Sequence, residues 1–139
     1  MIILDTNVLS ALMLRVPDER VLTWLDQQPR SSIWATSVTV FEIRFGLESM
    51  PAGKRQAALL QDFEKMLDSI DRRVAAFDVE AAERASTLMA SRKLRGRPRD
   101  DRDTMIAGIV LARHATLATR NVEHFDDLSA PVVNPWAAR

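Results

Sequence analysis

Residues 2–7 read Ile-Ile-Leu-Asp-Thr-Asn, and this stretch decides the fold. The run Ile2–Leu4 is short and wholly apolar, which is typical of a strand buried on both faces of a parallel sheet. Asp5 and the two polar residues after it resemble a helix start, and apolar residues then recur at helical spacing as far as Leu12. A buried strand that leads directly into a helix favours the α/β class of folds.

Short apolar runs and amphipathic segments alternate along the rest of the chain. The other predicted strands are Ile33–Ala35, Val74–Phe77, Ala115–Thr119 and Val132–Val133. The other predicted helices lie between Pro17 and Pro29 and over Ser37–Met50, Lys54–Ser69, Asp78–Leu94 and Thr104–Arg113. We expect Val38, Phe41 and Phe45 to face inward. The alternation predicts one α/β domain over residues 1–139, with a mostly parallel central sheet of about five strands and helices on both faces. Such sheets place ligands at the carboxyl ends of their strands.

The composition excludes several classes of protein. Lys and Arg number 19 and Asp and Glu number 19, so the net charge is zero and a uniformly basic nucleic-acid coat is excluded. Cysteine is absent and His114 and His124 are the only histidines, which excludes thiolate chemistry, Cys-type zinc sites and multi-His metal sites. No uncharged run exceeds eleven residues, whereas a membrane helix needs about 20, and no signal peptide is visible. We therefore expect a soluble cytoplasmic protein.

Four polar residues fall where the predicted topology would bring them to one edge of the sheet. Asp5 ends the first strand, Glu42 follows the second, Asp103 opens the helix before the fourth strand, and Asn121 follows the fourth. Carboxylates that share a crevice repel each other, and a divalent cation relieves that repulsion. Carboxylate oxygens suit Mg²⁺ or Mn²⁺, and such an ion activates water and stabilises charge on a phosphate. The pattern favours metal-dependent hydrolysis of phosphodiesters.

Each acid also has a purely structural interpretation. Asp5 suits an Asx turn at the start of a helix, and Asp103 suits the N-cap of the helix that follows it. Thr39 and Glu42 have the S/T-x-x-E spacing of a capping box. These alternatives stay open at the level of the sequence.

Several motifs resemble those of PIN-domain ribonucleases, in the same order along the chain. The first is Ile2–Ser10, the second Thr36–Gly46, the third Asp103–Ala112 and the fourth Leu117–Phe125, and the ending Val133–Trp136 is similar to the FitB-like branch of the VapC toxins. The resemblance spans nearly the whole chain. It implies a three-layer, Rossmann-like α/β/α PIN domain and a metal-dependent endoribonuclease that serves as the toxin of a toxin–antitoxin pair.

The resemblance also implies roles for individual residues. Asp5 and Asp103 correspond to the principal metal ligands, for Mg²⁺ or Mn²⁺, and Glu42 to the third acid, which binds metal or orients the attacking water. Asn121 occupies the fourth acidic position, where many relatives carry Asp, so it adds no negative charge. Thr6 and Thr119 would position water or phosphate through their hydroxyl groups. His124 is either a general acid or a histidine of a surface loop.

A basic segment, Arg92–Arg102, leads directly into Asp103 and carries six basic and two acidic residues. Its candidate substrate contacts are Arg97, Arg99 and Arg102, because arginine forms forked bonds with phosphate. Arg44 and Arg120, which flank Glu42 and Asn121 in sequence, are candidates for additional contacts. The alternative is an ordinary solvated loop.

The resemblance further implies partners. These are an RNA substrate, a cognate antitoxin that inhibits the toxin, and a second copy of the chain in a homodimer, with assembly into a larger toxin–antitoxin complex. Promoter DNA would be reached only through the antitoxin, and no membrane is involved. The helical pair Val38–Ser69 carries more apolar residues than one sheet face needs, so some of them are candidates for this interface.

Two other functions are consistent with part of the sequence. A phospho-receiver domain is also α/β, acidic and Mg²⁺-binding, but Asp5 lacks the paired acid that receivers have, and the last lysine, Lys93, comes too early for theirs. The second function is that of a non-catalytic PIN-like binding protein, and Asn121 is the feature that favours it. Nucleotide-dependent enzymes are disfavoured because the four glycines form no phosphate-binding loop.

Overall fold

Five short strands form one parallel sheet in the computed structural model, which describes residues 1–137. The strands are β1 (Ile2–Leu4), β2 (Ile33–Thr36), β3 (Val74–Ala75), β4 (Thr116–Ala118) and β5 (Val132–Val133). Their spatial order is β3-β2-β1-β4-β5, and every neighbouring pair is parallel. The order places β1 at the centre, so the carboxyl ends of β1, β2 and β4 adjoin one another, as the predicted site requires.

Six helices connect the strands and cover both faces of the sheet. They are α1 (Thr6–Leu12), α2 (Glu19–Asp26), α3 (Ser37–Glu48), α4 (Lys54–Ser69), α5 (Val79–Leu94) and α6 (Asp101–Ala112), with short 3₁₀ turns at Arg30–Ser32 and Val122–Phe125. The predicted three-layer α/β/α architecture is therefore confirmed. No helix within residues 1–137 is long and apolar enough to cross a membrane.

The central strand sends successive side chains to opposite faces, so the core has two halves. Leu4 packs in the half that contains Val8 of α1 and Phe63 of α4. Ile3 packs in the other half, which contains Ile106 and its neighbours on α6. All of these side chains are at most 1% exposed. The uninterrupted apolar run of β1 is thus explained by burial on both sides.

Helices α5 and α6 approach each other closely at Gly108. A Cβ atom at this position would lie 2.7 Å from the Cβ of Ala85, and closer still to the carbonyl oxygen of Ala81. Real Cβ atoms do not approach that closely, so the packing of these two helices requires glycine. Glycine at this position therefore allows α6, the helix that carries Asp103, to pack closely against α5.

The structure corrects two expectations about burial. The apolar pattern predicts that Phe41 and Phe45 face inward, but they are 61% and 58% exposed and stack on each other with ring centroids 6.2 Å apart. The inward face of α3 instead carries Val38 and Ile43. Arg92, which begins the basic segment and would be exposed in a solvated loop, is only 2% exposed.

Candidate active site

Asp5 occupies the end of β1 and is held in place by its neighbours in sequence and in space. Its backbone N–H donates to the carbonyl oxygen of Ala118 at the end of β4. Its Oδ1 accepts a hydrogen bond from the backbone N–H of Thr6 (2.8 Å), so it caps α1, and its Oδ2 accepts from the hydroxyl of Thr119 (2.8 Å). The carboxylate is therefore both a helix cap and a buried acid at the carboxyl edge of the sheet. The structural and functional interpretations of Asp5 do not exclude each other.

Burial raises the pKa of Asp5 to about 6, even though its hydrogen bonds favour the charged form. The carboxylates of Asp103 and Glu42 raise the pKa of Asp5 further by charge repulsion. Burial also raises the pKa of Asp103, with a further contribution from Asp100, while the hydrogen bond from His124 opposes the shift. Asp103 and Glu42 thus come from distant segments of the chain and both act electrostatically on Asp5.

Glu42 lies on α3 and is linked to Asp5 through Thr6, whose hydroxyl contacts Glu42 and whose backbone N–H contacts Asp5. Thr6 Oγ1 donates to Glu42 Oε1 (2.9 Å) and lies 2.9 Å from Thr39 Oγ1. The N-cap of α3 is Thr36, whose hydroxyl accepts from the backbone N–H of Thr39 (3.1 Å). Glu42 is therefore too far along the helix for a capping box, and that alternative is wrong.

Asp103 lies in the first turn of α6 and does not cap it. Asp100 is the N-cap, and its carboxylate accepts from the backbone N–H groups of Arg102 (2.9 Å) and Asp103 (3.3 Å). The carboxylate of Asp103 is consequently available for another role, and its Oδ2 lies 3.4 Å from Nδ1 of His124. The capping alternative for Asp103 is wrong as well.

The segment after β4 is tied to the same edge through Thr119. The Thr119 hydroxyl donates to Asp5 and accepts from the backbone N–H of Asn121 (3.1 Å). Thr119 is fully buried, so in this structure its hydroxyl contacts Asp5 and the segment after β4 rather than solvent, and its predicted contact with water or phosphate stays a prediction. Asn121 is half-buried beside it and precedes the turn that carries His124.

Asn7 completes this arrangement, and its place in the first motif does not by itself predict this role. Its amide nitrogen lies 3.3 Å from both Asp5 Oδ2 and Thr119 Oγ1, and its carbonyl oxygen accepts from the backbone N–H of Arg120 (3.2 Å). A polar residue at a helix start has many uses. Only the fold shows that Asn7 bridges β1 and the segment after β4.

The predicted basic contacts divide into two groups. Arg102 lies beside the site, with Nη1 3.8 Å from Glu42 Oε2, and Arg99 donates to the carbonyl oxygen of Glu123 (3.3 Å). Arg97 is exposed in the same loop. Arg44 is directed away, because it pairs with Glu48 and Glu64 at 3.3 and 3.4 Å, and Arg120 lies over the ring of Trp136 at 4.9 Å.

The acidic residues match the oxygen ligands that Mg²⁺ or Mn²⁺ prefers. Within residues 1–137, no three acidic or histidine side chains are close enough to enclose an ion between them. Mg²⁺ commonly keeps several waters and takes only one or two carboxylates. A cation held mainly by Asp5 and Asp103, with waters completing its shell, fits this donor set, and it would offset the cost of burying the charge of Asp5, which is the main cause of the raised pKa of Asp5.

The sheet and its acidic edge define a class, namely α/β proteins whose site is built from carboxylates at the carboxyl ends of parallel strands. More specifically, the chain belongs to the PIN domain family, whose model matches residues 2–130. It is 38% identical to a VapC ribonuclease, Y4jK, from Sinorhizobium fredii, over 98% of each chain. It is also 38% identical to the plasmid stability protein StbB of Pseudomonas syringae pv. tomato, over 99% of this chain and all of that protein.

The same relationship is visible in solved structures. Toxin FitB of Neisseria gonorrhoeae is 31% identical over 98% of this chain and 99% of that protein. A structure of FitAB bound to an IR36 DNA fragment matches with a TM-score of 0.89, covering all of this chain and 98% of that one. The resemblance predicted from the four motifs is therefore confirmed.

Proposed function

We propose that this protein is a metal-dependent endoribonuclease that serves as the toxin of a toxin–antitoxin pair. The observation that carries the proposal is the position of Asp5 and Glu42, which Thr6 joins through its backbone N–H and its hydroxyl, at the carboxyl edge of the sheet of a PIN fold, with Asp103 near enough to repel the charge of Asp5. The names of relatives, a VapC ribonuclease and Toxin FitB, support the same conclusion.

Each acidic residue has a distinct part in this proposal. A bound Mg²⁺ or Mn²⁺ would supply charge stabilisation at the scissile phosphate and a more acidic water. Asp5 and Asp103 would hold that ion, while Glu42, fixed by the hydroxyl of Thr6, would orient the attacking water. Asn121 contributes a neutral amide, so the site carries one negative charge fewer than a site of four acids. One ion rather than two is the expected occupancy.

The basic residues near the site suit an RNA backbone. Arg97, Arg99 and Arg102 lie on the loop and first turn that lead to Asp103, so a phosphodiester held by them would be delivered to the acidic edge. Arg102 is already beside Glu42, at 3.8 Å. Arginine is well suited to phosphate because its guanidinium presents paired donors.

The partners are an antitoxin and a second copy of the chain. Similar solved structures include FitAB bound to a DNA fragment and VapBC2 bound to a DNA fragment from its promoter. The exposed, stacked Phe41 and Phe45 supply an apolar surface of the kind that protein interfaces cover. Promoter DNA would be bound by the antitoxin.

A non-catalytic binding protein is the second candidate, because Asn121 and the absence of a closed three-ligand cluster within residues 1–137 both favour weak metal binding. Only the endoribonuclease should cleave RNA, and it should bind the metal ion more tightly than the non-catalytic protein.

The deciding experiment is cleavage of a single-stranded RNA with Mg²⁺ or Mn²⁺ by the unsubstituted chain and by Asp5→Asn. We expect at least a ~100-fold decrease in the variant, since it removes the central carboxylate. Asp62→Asn, an exposed acid on α4, is the matched control and should cleave normally. Equal cleavage by Asp5→Asn would reject the assigned site, and no heat of Mg²⁺ binding by calorimetry would favour the non-catalytic protein.

A further inference from the structure

Arg92 is the largest fully buried side chain of the described residues, and it extends from the last turn of α5 into the space between α6 and the segment after β4. Its guanidinium binds both carboxylate oxygens of Asp127, from Nε at 2.9 Å and from Nη2 at 2.8 Å. Nη1 donates to the hydroxyl of Thr104 (2.9 Å), and Nη2 also donates to the carbonyl oxygen of His124 (3.1 Å). Every nitrogen of the group is thus engaged.

The partners of Arg92 lie next to the residues of the candidate site. Thr104 follows Asp103 directly on α6, and its hydroxyl also donates to the carbonyl oxygen of Asp100, the N-cap of that helix. His124 belongs to the 3₁₀ turn that begins just after Asn121. One buried side chain therefore joins the start of α6 to the segment after β4.

These two elements belong to different parts of the chain, so their separation is not set by local structure. Two other polar contacts lie at this junction, His124 with Asp103 at 3.4 Å and Arg99 of the loop before α6 with the carbonyl oxygen of Glu123 at 3.3 Å, and both involve partly exposed side chains. Phe125 of the 3₁₀ turn also belongs to the same buried apolar cluster as Ile106 of α6, but apolar packing fixes directions less strictly than hydrogen bonds do. A buried guanidinium tolerates little displacement, because any N–H group that loses its acceptor is left buried without a hydrogen bond. Its planar fork also fixes the directions of its partners, which a lysine ammonium does not.

We propose that Arg92 is a positioning residue for the acidic site, which sets the distance between Asp103 on α6 and the Asn121–His124 segment. It touches neither substrate nor metal and acts only through Thr104, the His124 carbonyl group and Asp127. This inference rests on the proposed function in one respect, since Asp103 must take part in RNA cleavage for the distance to affect the rate.

The test uses variants that each change one feature of the hydrogen bonds made by Arg92. Thr104→Val removes the hydroxyl while keeping the side-chain shape, Thr104→Ser restores the hydroxyl, and Arg92→Lys keeps the charge but removes the fork. We expect kcat for RNA cleavage to fall about 10-fold or more in Thr104→Val and Arg92→Lys, with KM within about twofold, because a displacement near ~1 Å at a reacting group has effects of this order. Thr104→Ser should recover most of the rate.

Arg73→Lys is the matched control for reduced stability. Arg73 is also largely buried and donates to the carbonyl oxygens of Ile33 and Arg30, but it lies at the opposite, amino edge of the sheet. We expect it to lower the melting temperature as the Arg92 variant does, without changing kcat. An equal fall of kcat in Arg73→Lys would show that general destabilisation is the cause and would overturn the proposal.

A second readout is independent of catalysis. The amide NMR shifts of residues 121–127 should move in Thr104→Val and return in Thr104→Ser, in samples without metal or RNA. Unmoved shifts would overturn the positioning role whatever the cleavage result, and so would moved shifts with an unchanged kcat. Absence of cleavage by the unsubstituted chain would reject the proposed function instead, and the shifts would still decide whether Arg92 holds the segment.

Discussion

The carboxylate of Asp5 accepts hydrogen bonds from Thr6, Thr119 and Asn7, yet burial and two neighbouring acids raise its pKa to about 6. Hydrogen bonds to a carboxylate favour its charged form, so the rise shows that desolvation is the larger effect here. A folded-state pKa above the unfolded value of 3.8 means that the folded chain binds this proton more tightly. The contribution of the group to stability is full below pH 3.8 and declines as the pH rises through about 6.

Asp5→Asn should therefore stabilise the metal-free protein at neutral and alkaline pH. The shift corresponds to about 3 kcal/mol, and the poorer hydrogen bonding of an amide with Thr119 offsets part of it. We expect the free energy of unfolding to rise by about 1–2 kcal/mol at about pH 8 and the gain to vanish below about pH 4. Urea unfolding in EDTA at both pH values measures this.

Asp62→Asn, with its exposed side chain, should show no comparable gain at either pH. A less stable Asp5→Asn protein in the alkaline sample would mean that the hydrogen bonds outweigh desolvation. Added Mg²⁺ should stabilise the unsubstituted chain more than Asp5→Asn, since an ion that binds only the folded state shifts unfolding by mass action.

At the scale of elements, helix and strand bounds are predicted best where the residues of the segment itself contain the pattern that specifies them. Helix α4 is found at its predicted bounds, Lys54–Ser69, because its apolar residues recur with helical period between a breaking Gly53 and the turn at Ile70. Helix α3 shows where the local pattern is insufficient. Phe41 and Phe45 are apolar but exposed, because the helical period of apolar residues does not decide which apolar face packs on the sheet.

The residues of the candidate site are likewise predictable only in part. Asp5, Glu42 and Asp103 follow from the order of elements, since parallel strands bring their carboxyl ends together. The roles of Asn7 and Arg92 are not predictable, because their partners Thr119 and Asp127 lie 112 and 35 residues away in sequence. A hydrogen bond across such a separation is a property of the fold and has no local pattern.

Two helical glycines, Gly108 of α6 and Gly46 of α3, give predictions of opposite sign. Gly108→Ala should destabilise the protein by about 1–3 kcal/mol, because the new methyl group would overlap Ala85 and the Ala81 carbonyl group and push the helices apart. Gly46→Ala, inside α3 with no other part of the protein within 4 Å of the new Cβ beyond its own helix backbone, should stabilise it by about 0.5–1 kcal/mol. Thermal unfolding of both variants tests this, and a neutral Gly108→Ala would show that the two helices have room for a methyl group between them.

The loop before α6 gives a prediction about salt. In an Asp5→Asn background, where RNA is bound but not cut, changing Arg97 and Arg99 to Gln should weaken RNA binding and flatten its salt dependence. The slope of log Kd against log salt should fall by about 0.7 for each phosphate of a single strand that the variant no longer neutralises. Fluorescence anisotropy between about 50 and 200 mM salt, a range over which such effects are large, measures the slope.

Arg113→Gln is the control for that prediction, because Arg113 is exposed at the far end of α6 from the site. It should leave the slope unchanged. Equal slopes for all variants would place the RNA on another face of the molecule.

At the scale of the whole molecule, the net charge of zero conceals two kinds of charged region. Many charges neutralise each other locally, as where Arg72 of the α4–β3 connection pairs with Glu64 and Asp68. The acids at the carboxyl edge of the sheet are different, since Asp5 and Glu42 repel each other and stand beside a loop rich in arginine. A neutral chain can thus present both an acidic site and a basic approach to it.

At the same scale, residues 1–137 leave an aromatic surface uncovered. Phe41 and Phe45 stack almost parallel on the outer side of α3, and beside them Val38, Phe77 and Met105 line a largely apolar cavity of about 510 Å³. Exposed aromatic side chains grouped in this way are typical of protein interfaces. We expect this surface to be buried against a second copy of the chain.

Replacing both Phe41 and Phe45 by Ser should therefore convert the protein from two chains to one, as measured by light scattering at micromolar concentration. Because both rings are more than half exposed, the isolated chain should be destabilised only slightly, by about 0.5 kcal/mol or less per site. Leu22→Ser, an exposed apolar position on α2, should leave the mass of two chains unchanged. A single-chain mass for the unsubstituted protein would instead assign the aromatic surface to a different partner, since the rings would then be uncovered in solution.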